Sequence, residues 1–143
     1  MKTLFLLTSL VMAISACGGY GSSSSNNDDT TTVEATLSSI QTNIFTPKCA
    51  TSGCHSSSTA SNGLSLAEGE SFGELVAIPS QDIPTVNRVT PANPGASYLI
   101  NKLEGTQTSV GGAGAQMPRG GSPLDTGDIQ AIKDWITAGA ENN

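Results

Sequence analysis

Four stretches of the chain space their apolar side chains as helices do, and long polar stretches keep them apart. Val33, Leu37, Ile40 and Ile44 fall on one helical face, and Thr31 with Glu34 forms a capping box that predicts where this helix opens. Pro47 disfavours helical geometry at Thr46 and is expected to end it. Ser65 and Glu68 mark a second, weaker helix through about Val76, with Phe72, Leu75 and Val76 facing inward and Gly69 and Gly73 working against it. Asn93 caps a short third helix with Pro94 in its first turn, Leu99, Ile100 and Leu103 as apolar contacts, and Gly105 as its stop. The clearest helix is the last. Asp125 caps it, Asp128 sits in its first turn, Ile129, Ile132, Trp135 and Ile136 make one stripe, and Gly139 closes it.

The intervening segments read differently. "SSSTASNG" is irregular, the stretch from Ile78 to Asn93 is a proline-rich loop, and "TQTSVGGAGAQMPRGGSP" has no periodicity. A loop of that last length inside a small domain is usually functional or mobile. There is no internal repeat and no segment of strand period. The pattern predicts a small all-α domain of about four short helices with long loops.

The N-terminal segment stands apart. "MKTLFLLTSLVMAISAC" carries Lys2, an apolar run from Leu4 to Ile14 and small residues before Cys17, which reads as a signal peptide over residues 1–16. Its end, "ISAC", resembles the bacterial lipoprotein signature, whose cysteine is lipidated, so Cys17 is the expected lipidation site. The alternative is ordinary secretion with cleavage after Ala16, leaving a free thiol. Residues 17–32, nearly devoid of apolar side chains, are expected to be a disordered tether reaching about 20 Å. The folded domain is then 33–143. By the same resemblance, Gly18 after the cysteine favours the outer membrane of a bacterial envelope, with the domain facing periplasm or exterior.

Composition narrows the chemistry. Only 36% of the residues are hydrophobic and 4% aromatic, with 16 glycines, so a purely proteinaceous core is modest and a large apolar cofactor would supply missing mass. The formal net charge of −6 argues against nucleic acid, and no basic run suits an anionic membrane surface, so membrane contact is expected through the lipid only. Losing Lys2 leaves five basic against twelve acidic side chains, near −7, which suggests a partner presenting positive charge.

Three cysteines are odd for an exported chain. With Cys17 assigned to lipid, Cys49 and Cys54 remain as a local pair inside "CATSGCH", directly before His55. Three readings compete. A disulfide across the turn is permitted by an exported location, but has no need of His55. Structural zinc wants four side-chain ligands, and the mature chain offers two cysteines and one histidine. Covalent attachment of haem uses two thiols on the two vinyl groups, and the histidine after the second cysteine coordinates iron. Four residues instead of the usual two separate these cysteines, so the loop must bulge; Ala50, Thr51, Ser52 and Gly53 are small, and Gly53 tolerates positive φ. His55 is the chain's only histidine and Met117 the only methionine left in the mature protein, so His55–Met117 is the one pairing of common strong iron ligands. Elsewhere a lone methionine is more often a filler of core gaps.

From about Ile40 to Ala140 the chain resembles the monohaem c-type cytochrome domain of bacteria, in its planctomycete-type branch. The likeness rests on the helix before "CATSGCH", on "NGLSL", "VTPANPGASYLINKL" and "MP", and on "PLDTGDIQAIKDWITAGA". It implies a small cytochrome c-like fold around one covalent haem c, held by Cys49 and Cys54, with His55 the proximal and Met117 the distal iron ligand. It also implies that the first and last helices cross, bringing Ile40 and Ile44 to Ile132 and Trp135. Arg88 and Arg119 are candidate contacts to the haem propionates, with a solvated surface arginine the alternative for each. No proline closely follows His55, which leaves the acceptor of its ring N–H open.

The function expected is that of an electron carrier with unidentified redox protein partners, not an enzyme. The alternative from another class is a haem-free lipoprotein acting as a binding or structural module, with a Cys49–Cys54 disulfide. A haem sensor or peroxidase-like protein, with Met117 off the iron, is a third.

Overall fold

Residues 32–143 are described by the computed structural model, and their regular structure is all helical. The signal segment, Cys17, Thr31 and all but the last residue of the tether lie outside the described residues. α1 (Leu37–Ile40) runs on as a wider π-helical segment, Gln41–Cys49, followed by α2 (Ser71–Leu75), α3 (Tyr98–Glu104) and α4 (Thr126–Thr137). Single 3₁₀ turns at Ser61–Gly63, Pro94–Ala96 and Gln107–Val110 punctuate the loops.

α4 follows its sequence pattern closely. The Asp125 side chain accepts from the amide of Asp128 at 2.8 Å, and Ile132, Trp135 and Ile136 are sealed from solvent. They share one core with Ile40, Ile44, Phe45, Leu75 and Val89, and α1 packs against α4. The Trp135 indole N–H donates to the Glu141 carbonyl at 2.8 Å, so burying this polar atom leaves nothing unpaired.

α1 departs from expectation at both ends. Thr36, not Thr31, is its cap and accepts from the Ser39 amide at 3.2 Å. The amides of Leu37 and Ser38 donate to the Asn143 side chain and backbone carbonyl, each at 2.8 Å. Acceptors supplied from so far along the chain let the helix begin at Leu37, where burial begins, with no local signal needed. Pro47 does not end the helix. The turn widens to i→i+5 bonding, as between the Ala50 amide and the Phe45 carbonyl at 2.7 Å, which relieves the clash a proline ring makes with the carbonyl four residues back. The helix therefore carries through to Cys49.

The second helix starts later than Ser65. Ser65 is buried in a turn and its hydroxyl accepts from the Ala67 amide at 3.3 Å, while α2 begins only after Gly69, whose φ of 81° interrupts the chain. α2 stops at Leu75. Val76 turns extended and forms an isolated parallel bridge with Val89, and Pro79 pairs with Asn87, so the proline-rich loop folds back on itself. Gln41 ties these parts together from inside. Its side-chain nitrogen donates to the Leu66 carbonyl at 2.9 Å, and its oxygen accepts from the Ser71 hydroxyl at 2.6 Å.

Asn93 caps as its position predicts, accepting from the Ala96 amide at 3.1 Å, but the chain straightens at Ser97 before α3. Ile100 and Leu103 are buried and Gly105 ends the helix at φ 74°.

Candidate functional site

Beside the apolar core lies a cavity of about 650 Å³, within the range of small-molecule and cofactor sites. Cys49, Cys54, His55 and Met117 all line it, and so do Arg88 and Arg119. Side chains separated by up to 70 positions in the sequence thus share one chamber, whose apolar wall comes from residues such as Phe45, Leu66, Leu75 and Leu103.

The cysteine loop is held by its own backbone. The Cys54 amide donates to the Thr51 carbonyl at 3.0 Å and the His55 amide to the Cys49 carbonyl at 3.1 Å, closing a ring that returns His55 beside Cys49. Gly53 sits at φ 83°, a conformation glycine adopts without strain. No disulfide joins the two cysteines. Cys54 is exposed, whereas burial pushes the Cys49 thiol up to about 11, partly opposed by the nearby Lys48 ammonium.

The His55 ring is oriented by a bond that sequence alone left open. Its Nδ1 stands 3.0 Å from the Leu64 carbonyl, which can only accept, so Nδ1 is the donor and, in the neutral ring, Nε2 is the atom with the lone pair. The Leu66 amide donates to the His55 carbonyl at 2.8 Å, which pins the backbone on the other side.

Arg88 lines the cavity and also holds the chain around it. It is 7% exposed, so it is no solvated surface arginine. Nη1 donates to the Glu74 carbonyl and carboxylate at 2.7 and 3.0 Å, and Nη2 to the Asn62 and Gly63 carbonyls at 3.2 and 2.9 Å. Its four terminal N–H groups are thereby engaged, and any carboxylate in the cavity would have only Nε to meet. What Arg88 does is clamp the segment directly before Leu64, the residue that orients His55. Arg119 is exposed at the cavity wall.

Charge is unevenly spread. Among the described residues the cations are Lys48, Arg88, Lys102, Arg119 and Lys133, and all but Lys133 line the cavity. Of the carboxylates only Asp82 lines it, and it accepts from the Tyr98 hydroxyl at 3.0 Å. Burial and this neighbouring carboxylate push the Tyr98 phenol up to about 12, so it stays neutral. Lys48 is paired with the buried Asp128. With Lys48 paired to Asp128 and Arg88 to Glu74, Lys102 and Arg119 are the lining cations outside an ion pair, and they can meet a ligand carrying negative groups.

Met117 enters on the glycine-rich loop, half-buried, with its amide donating to the Lys102 carbonyl at 2.8 Å. Sequence reading missed Lys102 and the residue before Met117, Gln116. The available signals were the basic residue in the last turn of α3 and the adjacency of an amide side chain to a candidate ligand. Among the described residues no group of three His, Cys, Asp or Glu side chains gathers as a metal site, and no helix is long and apolar enough to cross a membrane. Comparison with known protein families, with curated proteins and with solved structures finds no match.

Proposed function

We propose that the chain is a single-haem c-type electron carrier, anchored by lipid on Cys17 to a bacterial envelope membrane, the outer one favoured. Cys49 and Cys54 would hold the haem as thioethers, and His55 Nε2 and the Met117 sulfur would be the ligands to its iron. Bound in this way, the group supplies reversible one-electron chemistry, and a thioether ligand sets a comparatively high potential. On this reading the all-α domain has the small cytochrome c-like fold.

One observation carries the reading. His55 Nδ1 is tied to the Leu64 carbonyl at 3.0 Å, which presents Nε2 as the ligand atom, on the same chamber as both thiols and Met117. The volume, the apolar wall and the cations Lys102 and Arg119 suit a large apolar group bearing carboxylates. The chain's own contribution is to orient and to exclude water. The cysteine loop sets the spacing of the sulfurs, Arg88 and Leu64 set the plane of the imidazole, and the α3 face closes the apolar side. With His55 the only histidine, Met117 would be the second iron ligand, and a bound haem would then have no open place for a substrate.

The test is a haem stain of the purified full-length protein after denaturing electrophoresis, with an absorption spectrum. Covalent haem is expected, with the weak far-red band of methionine–iron coordination in the oxidised state. Met117→Ala should erase that band, admit carbon monoxide to the reduced protein and lower the potential. Cys17→Ala should release the protein from membranes with its haem content intact. A colourless wild-type protein with a Cys49–Cys54 disulfide would end this reading in favour of a haem-free lipoprotein.

A further inference from the structure

The loop bearing Met117 does not merely pass the cavity; it is docked onto the end of a helix. The last carbonyls of any α-helix lack partners within it. At the end of α3, the Asn101 carbonyl is met by the amides of Gly105 and Thr106, the latter at 2.9 Å. The next two carbonyls are met from the loop. The Lys102 carbonyl accepts from the Met117 amide at 2.8 Å, and the Leu103 carbonyl accepts from the Gln116 side-chain nitrogen at 2.7 Å. Two successive loop residues thus cap two successive carbonyls of a helix whose side chains Leu99, Lys102 and Leu103 line the cavity.

The space for this docking is made by Gly105. Its φ of 74° is the left-handed helix stop, and a Cβ placed there would lie 3.0 Å from the Gln116 amide oxygen and 3.1 Å from the carbon bearing it. Upstream the loop is braced again. The Gln107 side chain donates to the Gly114 carbonyl at 2.8 Å, and the Lys102 ammonium to the Ala113 carbonyl at 3.0 Å. Downstream the bracing stops. From Pro118 to Leu124 the one hydrogen bond among the described residues runs from the Gly121 amide to the Pro118 carbonyl, at 3.4 Å. Met117 therefore stands where the pinned part of the loop meets the unpinned part, and Gln116 is the last side chain that holds it.

We infer that Gln116 is the positioning residue for Met117: by capping α3 it fixes the sulfur at the cavity, and without it the methionine is presented only part of the time. What Met117 binds there rests on the haem reading above, while the docking can be measured apart from it. Gln116→Ala removes the donor, and Gln116→Glu keeps the shape but sets an ionised carboxylate against the Leu103 carbonyl.

Amide hydrogen exchange on the full-length protein, as purified, reads the docking. In both variants the Met117 amide should exchange about five- to tenfold faster, as expected for the loss of one hydrogen bond of roughly 1 kcal/mol, with the α4 amides unchanged. In haem-loaded protein the same variants should weaken the far-red methionine–iron band and admit carbon monoxide to the reduced form, with both thioethers intact. Unaltered Met117 exchange, an equal acceleration in α4, or a band unchanged in both variants would overturn the inference. Absence of covalent haem from the wild-type chain is a separate result, which removes the haem reading and is scored by the stain alone.

Discussion

The side of the domain where α1 meets α4 and the side that walls the cavity keep their shape by opposite means. On the first, Ile40, Ile44, Ile132, Trp135 and Ile136 are wholly shut from solvent, and burial of apolar surface does the holding. On the second, residues 49–64 and 105–117 contain few large apolar side chains, and backbone and amide hydrogen bonds fix them one at a time. A packed interface resists displacement as a unit. A hydrogen-bonded loop gives way locally, bond by bond, and its cost of opening is small. The chemistry-bearing side chains sit on the second kind of structure, while the first supplies the rigid back against which they are set.

The comparison can be broken most forcefully at Trp135. Trp135→Ala should cost about 3–5 kcal/mol in denaturant unfolding, since it empties a closed site and frees the Glu141 carbonyl. A loss below about 1 kcal/mol would remove the packed side from its role as scaffold. Gln41 comes next, because it bonds across the two sides. Gln41→Ala leaves the buried Ser71 hydroxyl and the Leu66 carbonyl without their partner and should cost about 1–3 kcal/mol by the same assay. Asp125→Ala should cost roughly 1 kcal/mol through loss of the α4 cap, with the helix otherwise kept.

The smallest effect is one of rate alone. In haem-free protein, iodoacetamide should label exposed Cys54 well before Cys49, because thiolate is the reactive form and the Cys49 thiol titrates only near 11. Raising the pH from neutral toward that value should progressively erase the Cys49 delay, as read by peptide mass. Equal rates at neutral pH would mean that Cys49 is not shielded by the fold.

What could be read in the sequence follows the same division. α4 was legible because its cap, stripe and stop all lie within the helix or beside it: Asp125, Ile132 with Trp135 and Ile136, and Gly139. The positive φ of Gly53 was legible as a possibility, because glycine tolerates it at no steric cost. The start of α1 was not, since its first two amides are answered by Asn143, and no local pattern encodes a partner so distant. Pro47 misled because a widened helical turn tolerates what an α-helical turn does not. At the site, residue types named the candidate ligands, but the acceptor for His55 and the docking of Met117 are backbone carbonyls, of Leu64 and Lys102. Every residue has a carbonyl, so composition cannot mark which one is used. Arg88 was visible as a charge but not as a clamp, because its acceptors at Asn62 and Gly63 are also main-chain atoms.

The contact between Asn143 and the first turn of α1 also has a meaning in time. It joins residues 106 positions apart, so it closes a loop embracing nearly the whole domain, and contacts of such separation are slow to form. The helix that delivers Cys49 gains this N-terminal anchor only when residue 143 has been made and has travelled back to Leu37. A partly synthesised chain can hold both cysteines and the histidine but lack that anchor. The anchoring of the helix that carries Cys49, unlike the locally bonded loop after it, is on this account a late property of the domain. Removing Asn142 and Asn143 should therefore slow refolding of the α1 segment in pulsed hydrogen exchange, and an unchanged rate would show that the segment is organised without its distant cap.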